Sequence, residues 1–122
     1  MYEVTIRKTF SAAHRLKEIG GKCETLHGHN FFVEVSVAAE SLNAEGLLID
    51  FRDVKRWTME VLDELDHKFL NELDFFQGEN PSSERIARLL FERIAPRAKE
   101  AKVTLSRVTV WESENSRVSY SL

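Results

Sequence analysis

Apolar and polar residues alternate along two stretches near the N-terminus, which predicts two half-buried β-strands. The first stretch covers residues 2–10, and Lys8 alone interrupts its apolar face, which carries Tyr2, Val4, Ile6 and Phe10. The second runs from about residue 30 to residue 39, and its apolar face carries Phe31, Val33, Val35 and Val37. Residues 17–26, which include the pair Gly20-Gly21, are expected to form the loop between them.

Helical spacing of apolar residues follows in two later stretches. The first begins after Asp50, a residue type that caps helix N-termini, and its apolar positions are Phe51, Val54, Trp57, Val61, Leu62 and Leu65. The second follows Asn80-Pro81, a capping residue and a proline suited to the first helical position, and its apolar stripe is Ile86, Leu89, Leu90 and Ile94. Pro96 is expected to end or kink this second helix.

Two more strands are predicted at the C-terminus, over residues 103–112 and 117–122, joined by a turn at residues 113–116. The order strand, strand, helix, helix, strand, strand predicts an α+β fold. It would hold a four-stranded antiparallel sheet, with two helices inserted between the second and third strands. Residues 1–122 are expected to form a single domain. The first and last strands have the composition of pairing edges, so an oligomer is predicted.

Composition and charge exclude several classes of function. With 43% hydrophobic and 30% charged residues, the chain is typical of a globular domain with its own core. The net charge of -3 gives no general attraction for nucleic acid or for an anionic membrane. There is no apolar run long enough to span a bilayer, and the N-terminus does not resemble a signal peptide, so a cytoplasmic protein is expected.

Three histidines are predicted to lie on the apolar side of the sheet. Because strand side chains point alternately to the two faces, extending both alternations places His14, His27 and His29 together, unless Gly28 introduces a bulge. Each histidine could simply be a hydrogen-bonded core or surface residue. Three imidazoles on one face instead favour a metal site with an open fourth position. Nitrogen ligands favour zinc there without excluding iron or manganese.

Cys23 is the one cysteine of the chain, so it forms no internal disulfide. Three interpretations remain open: a small buried packing residue, a fourth zinc ligand, or a base whose thiolate is stabilised by a nearby metal. Asp66-His67 also has two interpretations. The pair is either a polar helix terminus, or an orienting carboxylate and a proton-shuttling imidazole.

Glu112 has the same parity as Val108 and Val110, so its carboxylate is expected to point toward the apolar side, where it needs partners. Those partners are an arginine, Arg107 or Arg117, or the guanidine-like edge of a heterocyclic ligand. Ser83, in the first turn of the second helix, most simply satisfies free backbone donors, and contact with a ligand would be a secondary role.

Several motifs in order along the chain identify a resemblance to a known family. They are Phe10-Ser11-Ala12-Ala13-His14-Arg15-Leu16, Cys23-x-x-x-His27-Gly28-His29-Asn30-Phe31, Asp50-Phe51, Leu65-Asp66-His67-x-x-Leu70-Asn71, Glu79-Asn80-Pro81-Ser82-Ser83-Glu84 and Trp111-Glu112. Over essentially its whole length, the chain resembles the 6-pyruvoyltetrahydropterin and 6-carboxytetrahydropterin synthases. The resemblance implies the tunnelling fold, in which trimers close their sheets into a barrel and two trimers stack into a hexamer with active sites between subunits.

The resemblance also implies a chemistry and assigns roles to residues. The substrate would be 7,8-dihydroneopterin triphosphate, and the zinc ligands would be His14, His27 and His29. By the same resemblance, Cys23 would be the proton-abstracting base and Asp66 and His67 a relay, while Glu112 would anchor the amino-pyrimidine edge of the pterin.

The interval between the thiol and the first metal histidine distinguishes branches of the family. Three residues separate Cys23 from His27, as in the 6-carboxytetrahydropterin synthases of the queuosine and deazapurine pathway, which are lyases that release acetaldehyde and triphosphate. Glu24 adds the pattern Glu-x-x-His-Gly-His of relatives that make 6-hydroxymethyldihydropterin for folate, although it could equally be a surface residue of a polar loop. A protein that binds zinc or pterin without catalysis is the alternative of another class.

Overall fold

The two alternating stretches form long paired strands, β1 (Tyr2–His14) and β2 (His27–Ala39). The computed structural model of the chain describes residues 1–17, 21 and 25–122. β1 and β2 are antiparallel, in a register that runs without a shift from Tyr2 opposite Ala39 to His14 opposite His27. Both strands extend further toward their shared loop than the alternation predicted. All three histidines therefore lie inside the strands, and the register passes through Gly28 without a bulge.

Three further strands complete the sheet. β4 (Thr104–Ser113) is antiparallel to β2, β5 (Ser116–Tyr120) is antiparallel to β4, and the two-residue β3 (Lys68–Phe69) runs parallel to β1. The strand order is β3-β1-β2-β4-β5. The four predicted antiparallel strands and the α+β class are confirmed, and β3 makes the sheet mixed. A two-residue strand is too short to show any alternation, so β3 could not be predicted from the pattern of apolar residues.

Both predicted helices form, α1 (Phe51–Leu62) and α2 (Ser83–Glu100). Asp50 caps α1 as expected, because its carboxylate accepts a hydrogen bond from the amide of Arg52 at 2.9 Å. The expectation that Phe51 is buried is wrong, since 57% of this residue is exposed. Leu65 is fully buried, but in the turn after α1 rather than in the helix.

The two ends of α2 differ from the prediction. Ser82 caps the helix in place of Asn80, and α2 continues through Pro96 to Glu100, so the expected end at Pro96 is wrong. Pro96 is exposed, so the carbonyl that lacks its usual partner faces water. Ile94 and Ala98, on either side of it, are fully buried and keep the last turn on the sheet.

The hydrophobic core lies between the sheet and the two helices. The central strands and both helices contribute fully buried residues that include Phe31, Val33, Val35, Val37, Val54, Ile86, Leu90, Ile94, Val108 and Val110. His14 is also fully buried, at the edge of this core. The histidines of β1 and β2 are thus positioned by strands that pack against a close-packed core. Among the described residues, no helix is long and apolar enough to cross a membrane.

Candidate metal centre

The pairing of β1 with β2 brings three imidazoles together at one end of the sheet. His14 lies directly opposite His27, and His29 lies opposite Ala12 on the same face. The ring centroids are 4.5 Å apart for His14 and His27, 4.8 Å for His27 and His29, and 5.7 Å for His14 and His29. Three nitrogen donors therefore face one small volume.

Glu112, near the end of β4, joins the three histidines. Its Oε1 lies 2.8 Å from Nε2 of His29, 3.6 Å from Nε2 of His14 and 3.8 Å from Nε2 of His27. The four ligand atoms all lie within 4.8 Å of one another. The other carboxylate oxygen, Oε2, accepts a hydrogen bond from Oγ of Ser83 at 3.1 Å. These four residues form what we call the His–Glu cluster: His14, His27, His29 and Glu112.

The arginines considered as partners of Glu112 lie elsewhere. Arg107 lies 3.6 Å from a carboxylate oxygen of Glu3, and the guanidinium of Arg117 stands 5.0 Å from the ring centre of Trp111. Arg107 lines a cavity on the opposite, polar face of the sheet, and Arg117 borders a small cavity beside Glu112 without forming an ion pair with it. The pairing of Glu112 with either arginine is therefore wrong.

Hydrogen bonds at Nδ1 of His14 and of His27 leave Nε2 of each ring available to bind a cation. Nδ1 of His14 lies 2.7 Å from the carbonyl oxygen of Pro81, and Nδ1 of His27 lies 2.7 Å from that of Thr25. A carbonyl oxygen only accepts, so each Nδ1 carries a proton, and in the neutral ring each Nε2 presents a lone pair. Nε2 of His14 is buried and has no hydrogen-bond partner. A buried lone pair without a partner is costly, and a metal ion would satisfy it.

The charges of the cluster also fit a cation. The pKa of Glu112 is lowered to about 2, first by its contact with His14 and then by His29 and Ser83, against the opposing effect of burial. Burial lowers the pKa of His14, but Glu112 and the Pro81 carbonyl raise it by more. Burial and the two neighbouring imidazoles lower the pKa of His29 despite the charge of Glu112. A carboxylate and three imidazoles are a donor set suited to zinc, and a bound metal would replace the proton that the raised pKa of His14 favours.

Asp66 and His67 are in contact with each other but not with the His–Glu cluster. Their Oδ2 and Nδ1 atoms are 3.0 Å apart, and the amide of Ser11 donates to Oδ1 of Asp66 at 2.9 Å. The Ser11 hydrogen bond is the main reason that the pKa of Asp66 is lowered, with His67 adding to it. His67 has a left-handed backbone (φ 59°), and 82% of its side chain is exposed. It nevertheless lines a cavity of about 490 Å³ together with His29.

Cys23 and Glu24, the two residues on which the predicted chemistry depends most, lie outside the described residues. The segment before them is held in an unexpected way. The side-chain amide of Asn71 accepts from the amide of Arg15 at 2.9 Å and donates to its carbonyl at 2.8 Å, and Asn80 does the same with Lys17 at 2.7 and 3.0 Å. We call Asn71 and Asn80 the asparagine clamp. The sequence offered only Asn80, as a helix cap.

The chain is similar in sequence to known proteins. The family model described as 6-pyruvoyl tetrahydropterin synthase matches residues 3–122. A putative 6-carboxy-5,6,7,8-tetrahydropterin synthase of Archaeoglobus fulgidus is 38% identical over 112 residues, which covers 92% of this chain and 89% of the relative. A dihydroneopterin monophosphate aldolase of Pyrococcus furiosus is 37% identical over 109 residues, covering 89% and 88%.

The fold matches as well. The solved structure of a Caenorhabditis elegans 6-pyruvoyl tetrahydropterin synthase superposes with a TM-score of 0.84 at 29% identity, covering 100% of this chain and 97% of the other. The range matched by the family model includes every residue of the His–Glu cluster. The chain belongs to the 6-pyruvoyl tetrahydropterin synthase family.

Proposed function

We propose that this protein is a zinc-dependent lyase. It would convert 7,8-dihydroneopterin triphosphate to 6-carboxy-5,6,7,8-tetrahydropterin and release acetaldehyde and triphosphate, as a cytoplasmic enzyme of queuosine and deazapurine biosynthesis. The observation that carries the proposal is the convergence of three Nε2 atoms on one volume, with Nε2 of His14 buried and unpartnered. The Archaeoglobus fulgidus relative, a putative synthase of this kind, supports the choice of reaction.

His14, His27 and His29 would hold the zinc ion. Bound there, zinc would polarise the side-chain oxygens of the substrate and make the adjacent C–H more acidic. Glu112 is ionised at neutral pH, because its pKa is about 2, so it can accept two hydrogen bonds from the amino-pyrimidine edge of a pterin. Ser83 would orient that carboxylate through the hydrogen bond it donates to Oε2.

Proton transfer is assigned to residues outside the His–Glu cluster. Cys23 would abstract the proton, as the family resemblance implies. Asp66, held by the Ser11 amide, contacts Nδ1 of His67 and leaves Nε2 of that ring free to exchange a proton. The exposure of His67 fits a site that a neighbouring subunit completes in a homohexamer, the assembly that the resemblance also implies.

A second candidate function is supported by the Pyrococcus furiosus relative, which is an aldolase acting on dihydroneopterin monophosphate. Its identity to this chain nearly equals that of the Archaeoglobus fulgidus relative. A carboxylate base at Glu24 would suit a retro-aldol cleavage that leaves 6-hydroxymethyl-7,8-dihydropterin. The chain would then make a folate precursor, alone or beside the carboxylated product.

Product analysis distinguishes these functions. Zinc-loaded protein is incubated with 7,8-dihydroneopterin triphosphate, and the pterins and acetaldehyde are measured by mass spectrometry. We expect 6-carboxytetrahydropterin and acetaldehyde in equal amounts. Only the hydroxymethyl product would contradict the first proposal and support the second. If zinc-loaded protein returned both 7,8-dihydroneopterin triphosphate and 7,8-dihydroneopterin monophosphate unchanged, a non-catalytic pterin-binding protein would be indicated.

Two variants then assign the base. Cys23→Ala is expected to keep stoichiometric zinc and to lose formation of 6-carboxytetrahydropterin. Normal turnover by this variant would exclude the thiol as the base. Glu24→Gln is expected to leave that product unchanged and to abolish any hydroxymethyl product. Identical product ratios in wild type and Glu24→Gln would exclude a role for Glu24.

A further inference from the structure

One carboxylate oxygen of Glu112, Oε1, lies close to the Nε2 atoms of all three histidines. In a tetrahedral zinc site, bonds of about 2.0–2.1 Å hold neighbouring donor atoms about 3.3 Å apart. Oε1 of Glu112 lies at 2.8, 3.6 and 3.8 Å from the three Nε2 atoms, on both sides of that value. Oε1 therefore lies within about 0.5 Å of the spacing expected of a fourth ligand, on the side of the three nitrogens that a substrate oxygen would also have to approach.

We propose that Glu112 is the fourth metal ligand of the substrate-free protein, and that it leaves the metal when substrate enters. One carboxylate would thus close the resting site and then hold the pterin. In the exchange, the bond from the metal to Oε1 breaks and a bond to a substrate oxygen forms, with no net transfer of protons or electrons. The second half of the proposal rests on the proposed function, whereas ligation by Glu112 in the resting state does not.

The backbone at Glu112 is built to aim this side chain. The register between β4 and β5 shifts between Trp111, which pairs with Arg117, and Ser113, which pairs with Ser116. Glu112 is the extra residue of this irregularity, with no residue of β5 opposite it. A bulge of this kind redirects a side chain locally, and such bulges are frequent beside active sites. Here Glu112 keeps the inward direction that its alternation with Val108 and Val110 predicts, and no neighbour on β5 is paired with it.

The carboxylate also has room and a support for movement. Only Oε1 faces the histidines, while Oε2 is held by Ser83, so the group can rotate about the Ser83 contact. A third of the Glu112 side chain is exposed (33%). A small cavity of about 90 Å³ adjoins it, lined in part by Ser83 and Val110. The side chain can therefore withdraw from the fourth position without disturbing the buried core.

Ligation by Glu112 predicts a distinctive pattern of metal affinity. Three neutral imidazoles leave a bound divalent ion with its full charge, and an anionic fourth ligand reduces that charge and adds a bond. Glu112→Gln should therefore weaken zinc binding by about 100-fold or more. Loss of a residue that only hydrogen-bonds to a metal ligand typically weakens binding by about 10–100-fold, and loss of a ligand should cost at least as much. Glu114→Gln removes the same charge from an exposed residue nearby, and is expected to bind zinc as the wild type does.

The test measures zinc affinity by competition with a chelator, and visible spectra of the cobalt-substituted proteins, for wild type, Glu112→Gln, Glu112→Asp and Glu114→Gln. Glu112→Asp keeps the charge but draws the carboxylate back, so ligation predicts weaker binding and an altered cobalt spectrum in both Glu112 variants. Thiocyanate, a probe that needs no pterin contact, should bind to the cobalt of Glu112→Gln more tightly than to that of the wild type. Circular dichroism shows that each variant is folded.

Three results would overturn the proposal. Unchanged zinc affinity and cobalt spectrum in folded Glu112→Gln would show that Glu112 is not a ligand. Wild-type affinity in Glu112→Asp would show that only charge matters. A wild-type cobalt spectrum that stays the same when 7,8-dihydroneopterin binds would show that no exchange takes place. The first two measurements require no turnover, so they stand even if the proposed lyase activity fails.

Discussion

Replacing the asparagine clamp tests how far the reaction depends on the backbone after β1. Asn71→Ala and Asn80→Ala each remove two hydrogen bonds to the main chain, at Arg15 and Lys17 respectively. A typical hydrogen bond contributes about 1 kcal/mol, so each variant should lose up to about 2 kcal/mol of unfolding free energy. The clamp is partly exposed, and water will replace some of the lost contacts. We expect the Tm to fall by roughly 5–10 °C.

Turnover should fall in addition to stability. Lys17 lies shortly before Cys23 in the chain, so freeing its backbone loosens one end of the segment that carries the proposed base. We expect kcat to fall about tenfold, the change in rate produced by 1.4 kcal/mol, while zinc content stays stoichiometric because no ligand is altered. The assays are urea unfolding, zinc content, and turnover of 7,8-dihydroneopterin triphosphate at a temperature where every variant is folded.

Asn43→Ala is the matched control. The side-chain oxygen of Asn43 accepts hydrogen bonds from the amides of Glu45 at 3.0 Å and Leu47 at 2.9 Å, in the loop between β2 and α1. Asn43→Ala also loses two hydrogen bonds to the backbone, but at a position far along the chain from Cys23. It should therefore lose stability and keep its kcat. If Asn80→Ala and Asn43→Ala have the same kcat, the clamp supports the fold and nothing more.

Three further predictions concern the metal and the hydrogen bonds around it. Adding zinc to metal-free protein should stabilise it by about 4 kcal/mol at a free concentration 1,000 times the Kd; thermal unfolding should show this shift for wild type and much less of it for His14→Gln. Ser83→Ala should raise KM about tenfold, because the hydrogen bond it removes orients the carboxylate of Glu112, and should leave kcat nearly unchanged; a fall in kcat alone would contradict this role. The pKa of Asp66 is lowered on folding, so its contribution to stability is present above the unfolded value near 3.9 and is lost as the pH falls through the folded value. The stability difference between wild type and Asp66→Asn should therefore be constant near neutral pH and shrink below about pH 4, and a difference that grows in acid would refute the assignment.

The alternation of side chains along β1 and β2 was enough to predict that the three histidines lie together. Because β1 and β2 pair without a register shift, the positions of His14, His27 and His29 follow from counting residues. The partners of Glu112 could not be predicted in this way. They depend on a register irregularity between β4 and β5 and on the approach of α2 through Ser83, and neither leaves a periodic signal in the sequence.

Other features were missed because tertiary contacts decide them. Asparagine is a common helix cap, but the side-chain amide of Asn80 is hydrogen-bonded to the backbone of Lys17. Ser82 caps α2 instead. Pro96 would break an isolated helix, yet the buried residues on either side of it hold α2 against the sheet. β3 is determined by the turn after α1, where the amide of His67 donates to the carbonyl of Ser11 at 2.6 Å.

The asparagine clamp has a consequence for how activities diverge in this family. The backbone is tied at Lys17 by Asn80, and at Thr25 by the contact of its carbonyl with His27, so both ends of the intervening segment are anchored independently of its contents. Doubling the length of a flexible connection costs only about 0.6 kcal/mol in closure entropy. If the proposed base lies between these anchors, a change in the length of this part of the chain or in the type of base leaves the anchoring contacts at Lys17 and Thr25 in place.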